Sequence, residues 1–196
     1  KSDLSEMDTK QFRMGEMINA ANRLNEIIFK PTWNEADIDS IYLNSLIMVS
    51  RVYNIDFSSG TIDQLRNAGG FRLIQNEEIV RKISEYEKGK VTMMVQLEQL
   101  LERGANVHRI QNSLLQTTVF STKETIGKVG YDKVGLDKIK KQTGSAFLST
   151  DKNAFHEYAN TTGTMKGYIS YYVLMSKTQQ QKAKELIKLL EEELEH

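Results

Sequence analysis

The sequence predicts an all-α fold, an elongated antiparallel helical bundle of four principal helices with a short corner helix and two long C-terminal arms. Three observations lead to this prediction. Proline occurs once in 196 residues, against a usual share of about 5%. Residues with high helix propensity, such as Glu, Lys, Leu, Gln and Met, fill long stretches of the chain. Apolar residues recur at alternating spacings of three and four, which is the period of an amphipathic helix.

The first two helices are expected on either side of Pro31. The first is predicted to span residues 3–29, because Pro31 disfavours helical backbone at Lys30. Asn34 is a favourable N-cap, so the second helix is predicted to span residues 35–52. The expected inward positions are Leu4, Met7, Gln11, Met14, Ile18, Ala21, Asn25 and Ile28 in the first helix, and Ile38, Ile41, Tyr42, Ser45, Leu46, Val49 and Val52 in the second.

A glycine pair, Gly69 and Gly70, separates two stretches with a helical pattern. Thr61 and Gln64 have the spacing of a capping box, so a short helix is expected to begin there. Gly69 is able to adopt the left-handed conformation that ends a helix, and Asn76 is expected to cap the helix that follows. We therefore predict a packed corner. A phosphate-binding glycine loop is disfavoured, because no strand precedes the pair and no Lys-Ser or Lys-Thr follows it.

Two long amphipathic stretches form the predicted arms. They run from residue 77 to about residue 118 and from residue 151 onward, and each would be ~63 Å long as one unbroken helix. Two such seams predict a left-handed antiparallel pair, and Gly104 is a candidate site for a kink. The expected seam positions are Ile79, Ile83, Tyr86, Lys90, Met93, Leu97, Leu100, Gly104, Val107, Gln111, Leu114 and Thr118, and then Tyr158, Thr162, Met165, Ile169, Tyr172, Ser176, Gln179, Ala183, Leu186 and Leu190.

Residues 1–193 are predicted to form a single helical bundle domain, in which residues 119–150 are the long connection between the arms. Short helical turns are expected at 123–128 and 136–141. Connections of this length are uncommon in compact domains and are often functional or mobile. Residues 194–196 resemble the remnant of a tag, so we assign no role to His196.

Composition excludes several classes of function. Basic and acidic residues balance at 26 each, so no overall field would attract nucleic acid, and no nucleic-acid partner is predicted. The absence of cysteine excludes disulfides and thiolate chemistry. The longest apolar runs, 46–49 and 171–175, are far shorter than the ~20 residues of a spanning helix. A signal peptide or an anchor before residue 1 is compatible with these observations.

Residues with catalytic or metal-binding chemistry are few. Apart from His196, the histidines are His108 and His156, and neither has a Glu three residues earlier, as the di-iron sites of helical bundles require. We predict no catalytic residue, no metal and no cofactor, and we assign no ligand-binding residue. The carboxylates of Glu98 and Glu102, and those of residues 191–193, are expected on solvated faces with ion pairs to the nearby Arg103 and Lys188.

Methionines and tyrosines have two interpretations each. Four inward methionines, Met7, Met14, Met93 and Met165, are predicted to lie in the core. The alternative is that they form an adaptable apolar surface for a ligand. The last arm carries Tyr168, Tyr171 and Tyr172 on more than one face. These tyrosines are predicted to pack against a neighbouring helix rather than to line a small-molecule cleft.

Several seam positions carry polar side chains, which is unusual for a helical core. A buried amide destabilises the fold unless it is hydrogen-bonded. These residues therefore either fix the register between helices or line a polar pocket, with register as the leading prediction. The residues concerned are Gln11, Asn25, Gln111, Ser176 and Gln179.

The segment 61–86 contains an ordered block of residue types. In chain order these are Thr61, the pair Leu65 and Arg66, Gly69, the pair Leu73 and Ile74, Asn76, Ile83 and Tyr86. This block resembles one in a bacterial family of uncharacterised, membrane-anchored helical proteins with a transmembrane helix near the N-terminus. The chain departs from it at Gly70 and at Glu87, where a second Tyr is common. The resemblance implies an extracytoplasmic, periplasmic domain of unknown function, with membrane contact only through a helix that precedes residue 1.

These observations favour a non-enzymatic, extracytoplasmic sensor-like or interaction domain of a membrane-anchored bacterial protein. Its partner would be an unidentified protein or small-molecule ligand, and a homodimer is compatible with the seams. The alternative is a soluble helical scaffold or oligomerisation protein without a membrane anchor, which uses the arms as coiled-coil surfaces. A third hypothesis is a helical enzyme with a cleft near His108, Tyr168 and Tyr172.

Overall fold

A computed structural model describes residues 2–49, 54–57, 60–67, 69, 74–116 and 144–195. The regular secondary structure of these residues is entirely helical, which confirms the predicted class. The helices are α1 (Ser2–Ile28), α2 (Glu35–Met48), α3 (Gly60–Asn67), α4 (Glu77–Leu114) and α5 (Lys152–Leu194). No helix in the described ranges combines the length and the apolar character needed to cross a bilayer.

The break between α1 and α2 follows the local sequence. The Ile27 carbonyl at the end of α1 accepts two hydrogen bonds, one from the Lys30 amide (3.1 Å) and one from Trp33 Nε1 (3.0 Å). Asn34 caps α2, because its side chain accepts from the Asp37 amide (2.9 Å) while the Asp37 carboxylate accepts from the Asn34 amide (3.2 Å). This reciprocal pair is a capping box. The start of α2 is therefore where the sequence predicts it.

The end of α2 comes earlier than predicted. The helix ends at Met48, and the amide of Val49 donates to the Leu46 carbonyl (3.3 Å), a tighter final turn. The last part of the predicted helix, residues 50–52, lies outside the described residues.

Two residues of the predicted corner have the local conformation expected of them. Gly69 has a φ of 69°, in the left-handed region that glycine reaches without a steric penalty. Asn76 caps α4, because its side-chain oxygen accepts from the amides of Glu78 (3.0 Å) and Ile79 (3.4 Å). The predicted capping role of the Thr61 side chain, as well as Gly70 and residues 71–73, lies outside what the structure describes.

The two longest helices cover most of the two stretches in which long helices were predicted. Helix α4 has 38 residues and α5 has 43, and α4 continues through Gly104. It ends at Leu114 rather than near Thr118, because the chain then turns to form an isolated antiparallel bridge between Leu115 and Phe147. The turns predicted at 123–128 and 136–141 lie outside the described residues.

The chain divides into two compact units. Unit 1 consists of Lys1–Arg13, Tyr53–Gln99 and Tyr171–His196, and unit 2 consists of Met14–Val52 and Leu100–Ser170. Helices α1, α4 and α5 each contribute residues to both units. Unit 1 therefore contains the beginning of α1 and the end of α5.

In unit 1, α5 is antiparallel to α4 and to α1. Side-chain contacts to α5 move backward along that helix as they move forward along its neighbours. With α4 the pairs are Lys82 with Glu185 (2.7 Å) and Gln179 with the Tyr86 carbonyl (2.7 Å); with α1 they are Asp8 with Gln180 (2.6 Å) and Gln11 with Ser176 (3.0 Å).

Unit 2 repeats the antiparallel pairing of α1 with α5 and adds α2. Lys166 donates to Asn22 (3.0 Å), and the rings of Phe29 and His156 stack with centroids 4.8 Å apart. On α2, the Tyr42 hydroxyl donates to the Gln116 carbonyl just after α4 (2.8 Å). A hydrogen bond thus joins α2 to the segment that follows α4.

The predicted seams form much of the core. The four inward methionines are each at most 1% exposed. Along α4 the seam positions within the helix are buried, except that Leu97 and Gly104 are half-buried. Along α5 they are buried as far as Leu186, whereas Leu190 is 37% exposed. The three-four rhythm therefore located the buried face of α4 and of most of α5. It was less accurate for α1, where Leu4, Gln11, Ile18 and Asn25 are half-buried and Met17, Ala20 and Leu24 are buried instead, and for α2, where Ile38 and Val49 are half-buried.

Candidate functional site

A polar groove lies between α4 and α5 within unit 2, with a volume of about 810 Å³. We call it the unit-2 groove. Its walls include Arg103 and Asn106 of α4, and Asn153, His156, Asn160 and Thr164 of α5. The α5 residues recur every three or four positions, which places them along one side of that helix. They lie beside the seam that buries Phe155 and Tyr158.

Arg103 is the most constrained side chain of the groove. Its guanidinium carbon lies 3.7 Å from the centre of the Tyr168 ring, a cation–π contact. Its Nε is buried and has no hydrogen-bond partner among the described residues. The predicted ion pair of Arg103 with Glu98 or Glu102 is absent from the described residues, so that prediction is wrong. Stacking on Tyr168 holds the guanidinium instead.

The hydroxyl and imidazole groups of the groove are also held in place. Thr161 and Thr164 donate their protons to backbone carbonyls of α5, those of Glu157 (2.8 Å) and Asn160 (3.0 Å). Their oxygens therefore face a ligand as acceptors and are not activated as nucleophiles, since a nucleophile needs its hydroxyl proton directed at a base. His156 is fixed by its stacking on Phe29. This arrangement suits binding better than covalent catalysis.

Both signs of charge line the groove. The carboxylates of Glu102 and Glu157 lie in its walls together with the Arg103 guanidinium. The remaining polar groups are amides and hydroxyls, which both donate and accept hydrogen bonds. Such a lining matches a zwitterion or a neutral polyhydroxyl molecule better than a ligand with several charges of one sign.

A second, smaller groove of about 290 Å³ lies between α4 and α5 within unit 1. Tyr171 and Leu174 line it, and they are 54% and 60% exposed. On α4 of the same unit, Val91, Met94 and Val95 are exposed at helical spacing. We call these five residues the unit-1 apolar patch, a set defined by exposure on the two helices and not by mutual contact.

The residues that the sequence proposed for an enzyme cleft have different environments. His108 is exposed on α4, where its Nδ1 lies 3.3 Å from the Asn112 amide nitrogen. Tyr172 is buried in unit 1, and burial raises its pKa to about 12. Tyr168 lies under the Arg103 guanidinium in unit 2. The tyrosines of α5 thus occupy more than one face, as predicted.

The polar seam residues resolve into two kinds. Gln11, Ser176 and Gln179 make hydrogen bonds between helices of unit 1, as expected of residues that fix register. Asn25 bonds to the Ala21 carbonyl of its own helix (2.9 Å). Gln111 is fully buried in unit 2, and neither polar atom of its amide has a partner among the described residues.

Sequence reasoning missed the amides and hydroxyls of the unit-2 groove. Asn153, Asn160, Thr161 and Thr164 have the periodicity of one helix side, but a solvated side has the same periodicity. Only their position opposite Arg103 of α4 distinguishes them. Of the other predicted features, the ion pair of Lys188 with the acidic end of α5 is present, at 3.6 Å to Glu192.

Within the described ranges, no three His, Cys, Asp or Glu side chains come together in a way that would hold a metal ion. The chain matches no protein-family model, no curated protein and no solved structure. The resemblance of residues 61–86 to a membrane-anchored bacterial family therefore stays a prediction.

Proposed function

We propose that this chain is a non-enzymatic, sensor-like domain that binds a small polar molecule in the unit-2 groove. The observation that carries the proposal is the lining of that groove, in which amides, hydroxyls and charges of both signs surround a guanidinium fixed over an aromatic ring. A guanidinium that is already oriented loses little freedom when it binds a carboxylate or a hydroxyl. The expected ligand is an amino acid, a related zwitterion or a monosaccharide.

A binding screen tests the proposal. Amide chemical shifts of the labelled protein are recorded against the twenty common amino acids and a set of monosaccharides. We expect at least one compound to shift the resonances of Asn106, Asn160 and their neighbours in a saturable way. Saturable shifts confined to residues outside the groove, or none with any compound, would contradict the proposal.

Matched variants then separate the groove from the rest of the surface. Asn160→Ala removes a groove amide and should weaken binding by about tenfold, the effect of one good hydrogen bond. Asn19→Ala removes an exposed amide of α1 outside the groove and should leave binding unchanged. Equal effects of the two substitutions would show that binding does not depend on the groove.

We further propose that the domain is extracytoplasmic and belongs to a membrane-anchored bacterial protein. The family resemblance of residues 61–86 motivates this placement. The gene should encode an apolar segment of ~20 residues upstream of residue 1. In intact cells without an outer membrane, added protease should cleave the domain. Protection of the domain in those cells would place it in the cytoplasm.

The proposal includes the arrangement predicted from the sequence, an elongated antiparallel bundle of four principal helices. The antiparallel pairing of α1 with α5 inside each unit supports it. Small-angle scattering should give a radius of gyration clearly above the ~16 Å of a compact chain of this length. A value at or below that figure would exclude the elongated bundle.

The second candidate function is a helical scaffold that self-associates. The unit-1 apolar patch favours it, because its five residues are exposed at helical spacing on two helices. Light scattering would then show a dimer that Met94→Glu together with Leu174→Glu converts to a monomer. The control pair Thr92→Glu and Thr178→Glu adds the same charges beside the patch. A monomeric parent protein would reject this candidate.

A further inference from the structure

Several fully or partly buried side-chain amides among the described residues are hydrogen-bonded to protein atoms. In unit 1, Gln179 donates to the Tyr86 carbonyl and Gln11 donates to Ser176. In unit 2, Asn25 donates to the Ala21 carbonyl, and Asn44 donates to the Ser40 carbonyl (2.7 Å). A side chain that breaks this pattern needs a physical account, because native proteins leave very few buried polar groups unsatisfied.

Gln111 breaks the pattern completely. It lies on the buried face of α4 in unit 2 and is 0% exposed. Its Oε1 and its Nε2 both lack a hydrogen-bond partner among the described residues. An amide has two donors and an acceptor with two lone pairs, so this one side chain carries several unmet hydrogen bonds in the core.

Tyr158 of α5, in the same unit, is the second exception. It is also 0% exposed, and its hydroxyl has no partner among the described residues. Burial raises its pKa and the nearby Ser45 side chain acts in the opposite direction, so the phenol is neutral. The Ser45 hydroxyl donates to the Ile41 carbonyl (2.6 Å), and no hydrogen bond of normal geometry joins it to Tyr158. The Tyr158 hydroxyl thus has a donor and an acceptor available.

The geometry points to internal water molecules in the core of unit 2, hydrogen-bonded to the Gln111 amide and to the Tyr158 hydroxyl. Both groups are neutral and each donates and accepts, which is what a water molecule requires of its partners. Neither residue lines the unit-2 groove, and both are fully enclosed, so the occupant must be very small. Among the polar seam residues, Gln11, Ser176 and Gln179 then fix register in unit 1, and Gln111 binds internal water in unit 2.

Water-to-protein magnetisation transfer in the labelled protein tests the inference. We expect cross-peaks of negative sign, as from a long-lived bound water, at the Gln111 side-chain amide protons and at the ring protons of Tyr158. A high-resolution crystal structure should show water oxygens within hydrogen-bonding distance of both groups. A direct hydrogen bond from either group to another protein atom, or a site without water in both measurements, would overturn the inference.

Substitutions give an independent readout. Tyr158→Phe should abolish the water signal at residue 158 and lower the melting temperature, since a hydrated hydroxyl contributes stability. Tyr42→Phe is the matched control, because the Tyr42 hydroxyl donates directly to the Gln116 carbonyl; it should leave the water signal at residue 158 in place.

Gln111→Met keeps the length of the side chain. A rise in melting temperature in both Gln111→Met and Tyr158→Phe would mean that the polar atoms are dry, which contradicts the inference.

Discussion

Gly89 of α4 faces the side chain of Gln179 in unit 1. A Cβ atom at Gly89 would lie 2.0 Å from Gln179 Oε1 and 2.9 Å from Cδ. Gln179 is buried and donates to the Tyr86 carbonyl, so it cannot move aside without giving up that bond. Glycine therefore allows α4 and the amide of α5 to approach each other.

Gly89→Ala is expected to destabilise the protein by about 1–2 kcal/mol, because displacing a buried, hydrogen-bonded amide outweighs the better helix propensity of alanine. Chemical denaturation measures the change. Gly167→Ala is the control, since nothing lies within 4 Å of its added Cβ; it should stabilise the protein by up to ~1 kcal/mol. With Gln179→Ala already present, Gly89→Ala should become neutral or stabilising. An unchanged penalty in that background would refute this explanation.

The stabilisation that Asp37 contributes at the start of α2 depends on pH. The hydrogen bond from Lys30, at 2.7 Å, is the main cause that lowers the pKa of Asp37 from its ordinary value of 3.8, and the Asn34 amide adds to it. A lowered folded-state pKa means that the stabilisation is complete above the ordinary pKa and is lost as the pH falls through the folded-state pKa. Protonation of Asp37 therefore contributes to acid unfolding.

Asp37→Asn should lower the melting temperature at pH 7, and the difference from the parent protein should shrink as the pH falls below the ordinary carboxylate range. The reason is that the protonated aspartate loses the same charge that the substitution removes. Thermal melts across this range measure it. Asp56→Asn, at an exposed carboxylate outside the helices, should show a smaller pH-dependent difference. A constant difference at Asp37 would mean that its charge has no role.

Asn76 decides where α4 begins. Its side chain accepts from the amides of Glu78 and Ile79, and its Nδ2 donates to Glu193 at the end of α5 (2.8 Å). Asn76→Ala should destabilise the protein by about 1 kcal/mol and speed hydrogen exchange at the first amides of α4. Asn76→Ser keeps the cap but loses the contact with Glu193, so it should recover most of the stability. Equal loss in both variants would assign the effect to Glu193 rather than to the cap.

The balance of basic and acidic residues affects the solubility of the protein. Equal numbers of basic and acidic residues give a formal net charge of zero at pH 7, and molecules without net charge repel one another least. Solubility should therefore pass through a minimum near neutral pH and rise on either side of it while the protein stays folded. Solubility measured against pH, with circular dichroism as a check on folding, tests this. A maximum near pH 7 would contradict it.

Much of the fold was predictable because it depends on local chemistry. Asn34, Gly69 and Asn76 mark helix ends through their own side chains or backbone freedom, and each does so in the structure. Helix ends that depend on distant residues were predicted less well. Helix α4 stops at Leu114 because Leu115 pairs with Phe147, a contact that no local pattern contains.

The sequence by itself determined the helical class, most helix boundaries, and the buried face of α4 and of most of α5, since capping and the three-four rhythm act within a few residues. Tertiary structure alone decided which polar side chains meet. It paired Gln179 with the Tyr86 carbonyl, left the Gln111 amide and the Tyr158 hydroxyl without a hydrogen-bond partner in the described part of the chain, and brought Arg103 over Tyr168 beside the amides of α5. The physical reason is that a hydrogen bond or a stacking contact depends on distances between helices, and periodicity along one helix does not specify those distances.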